Sequence, residues 1–156
     1  MKKLILLLII VNLISLFSCK KDEDMSQTQL LCNGPWILSA SVINPAFFFE
    51  DIGAITDYYA ILPTCLRDDL WIFYENGDYS LEEGATKCDP GDPKIFDRGT
   101  WASSLDFTTI SLTSAIYFST TEYDILELTE QTLKIERIIY DTLNNSYTYT
   151  QTFNHQ

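Results

Sequence analysis

From Trp36 to Phe153 the chain breaks into short runs rich in Thr, Tyr, Ile and Phe, cut by turn residues about every 8 to 12 positions. Helical periodicity is scarce, so these runs bury their apolar residues by alternation across a pleated sheet. That restricts the chain to an all-β sandwich or barrel. The runs are "WILSASVI", the hairpin "DLWIFYENGDYSLEE", then "RGTWASS", "FTTISLT", "TEYDILELT", "QTLKIERIIY" and "SYTYTQTF". The last five are separated by Leu105-Asp106, Ser114 to Ser119, Glu130-Gln131 and Asn144-Asn145. With the hairpin counted as two, eight strands are predicted. In up-and-down order they close into a small antiparallel barrel, wide enough for side chains or one small ligand.

In the first run Trp36, Leu38, Ala40 and Val42 fall on one face and Ile37, Ser39, Ser41 and Ile43 on the other. Pro35 suits the start of a strand. The hairpin has two registers. A two-residue turn at Asn76-Gly77 pairs Tyr74 with Tyr79, whereas a three-residue loop with Gly77 in the left-handed region pairs Phe73 with Tyr79 and Trp71 with Leu81. The second is favoured, because it gathers the largest rings on one face and puts Asp78, Ser80 and Glu82 on the other. "GATKCDPGDPKIFDRG" reads as a loop. Residues 44–65, "NPAFFFEDIGAITDYYAILPTC", do not fit the meander. Their rings are expected in a loop-like stretch holding a short strand or helix over one end of the barrel, where they either cap the core or close a cavity.

Ahead of the β-rich region, Lys2 and Lys3 precede an apolar core from Leu4 to Phe17. That core is shorter than the about 20 residues a spanning helix needs, so it reads as a cleaved secretory signal. Leu16-Phe17-Ser18-Cys19 resembles a bacterial lipobox, which implies acylation of the Cys19 thiol and cleavage before it. Lys20 to Asp24 resembles the lysine-plus-acidic run that follows the lipidated cysteine in cell-surface lipoproteins of some Gram-negative bacteria. The expected organisation is a lipoprotein signal peptide over 1–18, an acidic tether over 19–28 and one barrel domain over 29–156. The expected location is the outer membrane, lipid-anchored and facing the cell exterior.

Without residues 1–18 the chain has 8 basic against 22 acidic residues, a net charge of −14. Nucleic acid is therefore excluded as a partner, and contact with an anionic bilayer surface is disfavoured. Export places Cys32, Cys65 and Cys88 in an oxidising compartment. Cys65 and Cys88 flank the same hairpin and are expected to pair, leaving Cys32 as a buried free thiol without a neighbouring base.

"LLCNGPWILSA", "CLRDDLWIFYENGDYSLEEGATKCDPGDP", "GTW", "YDILELTEQTLKI" and "YTYTQTF" together resemble the lipocalin-like domains of bacterial exported lipoproteins. The resemblance runs from about Leu30 to Phe153. It implies a small antiparallel barrel, supports the pairing of Cys65 with Cys88, and brings no enzymatic activity with it.

His155 is the single histidine and lies at the C-terminus, where fraying is expected. A histidine base or histidine-bound metal is therefore not expected, nor is any cofactor. Asp68-Asp69 and Glu82-Glu83 cannot each aim both groups at one cavity, since strand neighbours face opposite ways. Asp89, Asp92 and Asp97 read as a solvated acidic turn rather than a calcium loop. No enzyme is expected, and no metal. The expected function is a binding module for a small apolar or amphipathic ligand, with Trp36, Phe48, Tyr59, Trp71, Tyr79 and Trp101 as candidate contacts. The competing reading is an accessory subunit of a surface complex, its barrel filled by its own side chains.

Overall fold

The computed structural model describes residues 25–155. Cys19, the signal peptide and most of the tether lie outside the described residues. The fold is all-β. A short helix α1 (Gln27–Leu31) precedes β1 (Trp36–Phe49), β2 (Gly53–Asp57), β3 (Leu70–Phe73), β4 (Asp78–Glu82), β5 (Ile95–Ser103), β6 (Thr109–Ser114), β7 (Thr120–Leu128), β8 (Thr132–Tyr140) and β9 (Ser146–His155). Strands β3 to β9 follow one another as antiparallel neighbours, and β1 joins β3 on one edge and β9 on the other. The result is the closed eight-stranded, up-and-down antiparallel barrel that the turn spacing predicts.

α1 starts inside the segment read as tether. Ser26 accepts from Gln29 N, and the Gln29 side chain accepts from Ser26 N, a capping box spelled by the S-x-x-Q spacing. Leu31 is fully buried, and its carbonyl accepts from Trp36 Nε1 at 2.8 Å. Together they stopper one end of the barrel, where Phe73, Ile110, Leu133 and Phe153 are also buried. The turns β3–β4, β5–β6 and β7–β8 surround this end, and the connections β4–β5, β6–β7 and β8–β9 surround the opposite one.

The hairpin adopts the three-residue register. Phe73 pairs with Tyr79 and Trp71 with Leu81, and Gly77 has φ of 87°. A side chain at that φ is strained, and that strain selects glycine. The first strand departs from simple alternation. A bulge between Leu38 and Ala40 adds one residue against β9, so Ser41 and Ile43 turn inward while Val42 faces solvent. The expected Trp36, Leu38, Ala40, Val42 face therefore holds only as far as Leu38.

Residues 44–57 form a strand pair rather than a loop. β1 continues through Phe49 and turns back as β2, pairing Phe47 with Ile55 and Phe49 with Gly53. β1 thus touches β3 only at Trp36 with Trp71 and Ile37 with Leu70, and β2 takes the same edge farther along. The connection between them carries two 3-10 turns, Tyr59–Ile61 and Thr64–Leu66, stitched by Arg67 to the carbonyls of Leu62 and Ala60. The disulfide Cys65–Cys88, with Cα atoms 5.3 Å apart, ties this connection to the β4–β5 loop. Closing a chain of that length stabilises by about 3 kcal/mol. Cys32 is free and half-buried, and burial first, then Glu75, pushes its thiol up to about 11.

Candidate ligand-binding site

The barrel is filled unequally. At the end stoppered by α1, Trp36 is fully buried and packs against His155, ring centroids 4.0 Å apart and planes tilted by 38°. Trp101 donates from Nε1 to the Tyr74 carbonyl and meets Phe73 edge to face. Trp36 is core and Trp101 packs half-buried against it, each indole N–H satisfied by a backbone carbonyl, of Leu31 and Tyr74 respectively. His155 does not fray. It pairs with Trp36 as the last residue of β9, and burial lowers its basicity.

Toward the open end the inner wall becomes polar and aromatic, and two recesses appear. One, of about 140 Å³, lies against the inner faces of β3 to β7 and is lined by Trp71, Tyr79, Leu81, Asp97, Ser114 and Tyr123 among others. Asp97 belongs to the barrel interior and not to a solvated turn, since β5 already begins at Ile95. Tyr79 donates its hydroxyl to Asp97 Oδ2 at 2.9 Å, and Ser114 donates to Oδ1 at 2.6 Å. Burial, reinforced by that bond to Asp97, holds the Tyr79 phenol well above its usual range. Tyr79 and Asp97 therefore form a static hydrogen-bonded pair rather than a proton donor poised for chemistry.

The second recess, of about 250 Å³, lies between β1, β8 and β9 under the β1–β2 hairpin. Ile43 and Tyr149 face each other across β1 and β9, and Arg137 and Tyr149 across β9 and β8. Ile135, two residues before Arg137 in an unbroken register, is fully buried, so Arg137 shares its inward face. Phe47, Phe49, Tyr58 and Ile139 complete the wall. Phe47 and Phe49 lie 4.9 Å apart, Phe47 sits 5.0 Å from Tyr147, and Tyr58 packs on both Phe49 and Tyr149.

Of the six rings singled out in the sequence, Trp71 and Tyr79 thus line the smaller recess, and Trp36 and Trp101 belong to the closed end. Tyr59 packs against the core with the Arg67 guanidinium 4.9 Å above its ring. Phe48 points outward and is 68% exposed, because it sits on the opposite face of β1 from Phe47 and Phe49. The rings that line the larger recess are its neighbours, together with Tyr58 and Tyr149. Because of the Leu38/Ala40 bulge, the phase of this half of β1 could not be read from alternation. The signal that remained was Arg137 among apolar residues in "KIERIIY".

A more voluminous groove, about 390 Å³, runs along the outer face of β4 and β5 past Tyr74, Ser80, Glu82, Ile95 and Arg98. Ser80 donates to Glu82 Oε1 within it, and Lys94 stands 3.5 Å from Glu82 Oε2. Tyr79, which lines the smaller recess, also borders this groove. Among the described residues no cluster of three or more His, Cys, Asp or Glu side chains converges to hold a metal.

No family model matches the chain, and no curated protein does. Among solved structures, the chain is similar to bovine odorant-binding protein in complex with a selenium-containing odorant, at 15% identity over 88% of this chain and 78% of that one, with a TM-score of 0.44. It is also similar to bovine odorant-binding protein complexed with undecanal, at 15% identity over 88% and 77%, with a TM-score of 0.43.

Proposed function

We propose that this domain is a non-enzymatic binding module that takes a small apolar or amphipathic molecule into the open end of its barrel. The observation that carries this reading is the unequal filling: one end is stoppered by α1 and Trp36, while the other keeps a recess of about 250 Å³ walled by Phe47, Phe49 and Tyr58. Lipidation at Cys19, on sequence grounds alone, would anchor the module to the outer membrane and display it at the cell surface.

A titration with N-phenyl-1-naphthylamine tests the binding reading. Fluorescence is expected to rise saturably, and Phe49→Ala to weaken binding by roughly tenfold, the loss of about 1–2 kcal/mol of buried apolar contact. Phe48→Ala is expected to change neither binding nor stability. Phe153→Ala, at the closed end, is expected to cost about 3–5 kcal/mol of stability, read from a urea transition.

The accessory-subunit reading has one observation in its favour. The loop tips around the open end display Phe118 at 90% and Leu143 at 82% exposure, apolar side chains that suit a protein partner. No saturable dye binding by the wild type would leave that reading standing in place of the first.

A further inference from the structure

We infer that the recess beneath the β1–β2 hairpin is built for a monoanionic ligand, a carboxylate on a short apolar chain or ring, whose head group is received by Arg137. This deepens the proposed ligand-binding reading and rests on it. Arg137 enters the barrel between two tyrosines, its Cζ 5.6 Å from the Tyr123 ring centre and 5.8 Å from that of Tyr149. Cation–π contact of this kind holds a guanidinium flat while leaving its N–H edge free to donate.

That edge has no taker among the described residues. Arg137 makes no ion pair, and its buried Nε donates to nothing. A neighbour of opposite sign is close in sequence, yet Glu136 is on the other side of the strand, where it accepts from Thr150 Oγ1 at 2.8 Å. In a chain of net charge −12, acidic partners are plentiful. An arginine facing inward without one is a cation whose counter-charge has to come from outside the protein.

The rest of the wall sets the remaining chemistry. Ile43, Phe47, Phe49 and Ile139 offer only apolar surface, and Tyr58 and Tyr149 offer rings. Arg137 is the single charged residue lining the recess. One cation in a partly desolvated site neutralises one negative charge, so a monoanion is favoured over a phosphate carrying two. The planar guanidinium fork matches a carboxylate's two oxygens. The volume, below the about 300–1,000 Å³ of pockets that engulf drug-sized ligands, limits the apolar part to a short chain or a single ring.

Octanoate and octan-1-ol, identical in chain and different in head group, separate the contributions by isothermal titration of the purified full chain. Wild type is expected to bind octanoate about tenfold to a hundredfold more tightly than octanol, as a charge-assisted hydrogen bond allows. Arg137→Met should erase that preference, read as the ratio of the two affinities in the same variant, and Arg137→Lys should keep part of it. In wild type, the Arg137 Hε resonance should shift on addition of octanoate and not of octanol, a readout that needs no variant to fold. Octanol binding with no preference for octanoate, or an unmoved Hε signal at saturating octanoate, overturns the head-group assignment and leaves the ligand-binding reading intact. Failure of both compounds to bind overturns both.

Discussion

Asp69 and Glu83 are both more than nine-tenths buried, and Asp69 Oδ1 and Glu83 Oε2 have no hydrogen-bond partner. Burial first, and the Glu83 charge second, raise the Asp69 carboxyl from 3.8 to about 6. Between these values the folded protein holds a proton that the unfolded chain has released. Stability is therefore fullest below about pH 4 and declines as pH rises through 6, by on the order of 1–2 kcal/mol after allowance for solvent screening. Thermal midpoints taken from pH 4 to pH 7.5 are expected to fall across this window, and Asp69→Asn to remove that component. An unchanged profile in the variant would show that the burden lies elsewhere. In the sequence these acidic pairs stand out only as candidates for chemistry, because strand alternation says which way a carboxylate points and not what covers it. The cover here is the connection held down by Cys65–Cys88, with Asp68 accepting from Thr86 N and Oγ1. The same limit explains Phe48. Three consecutive phenylalanines are visible in the sequence, but their division between solvent and cavity depends on the phase of one strand.

That phase is decided at the level of elements. The bulge between Leu38 and Ala40 reverses the faces of the second half of β1, and the hairpin with β2, itself irregular between Val42 and Phe47, then places Phe47 and Phe49 over the recess. Bulges leave little trace in composition, so alternation carries the reading only up to the irregularity. The β3–β4 hairpin is the opposite case, because Gly77 and the gathering of Trp71, Phe73, Tyr79 and Leu81 on one face agree on a single register. A second glycine does a different job. At Gly99, which pairs with Ser114, a Cβ would overlap the main-chain carbonyl of Thr113, so β5 and β6 can approach only without a side chain there. Gly99→Ala is expected to push these strands apart at a cost of about 1–3 kcal/mol, measured as a lowered urea midpoint. Thr100→Ala, exposed on the same strand, is expected to stay within about 0.5 kcal/mol. Equal behaviour of the two variants would mean the wall yields more easily than its geometry indicates.

At the scale of the whole molecule, the stoppered end and the open end lie on opposite sides of the barrel, and α1, the first element of the described residues, sits at the stoppered end. Cys19→Ser is expected to abolish metabolic labelling with a radioactive fatty acid, and labelling equal to wild type would overturn the lipoprotein assignment. The all-β class and the eight strands of the wall were legible in the sequence, as were the favoured of two hairpin registers and the expected partners of the disulfide. Each rests on a local rule: turn residues at intervals, alternation of period two, a left-handed glycine, or two cysteines flanking one hairpin. The closed barrel alone settles that Trp36 is core with Trp101 packed half-buried against it, that Asp97 is buried and His155 half-buried, and that Arg137 faces inward between Tyr123 and Tyr149. These outcomes depend on which strands become neighbours around the closed barrel, and those neighbours meet across sequence separations that no short window contains.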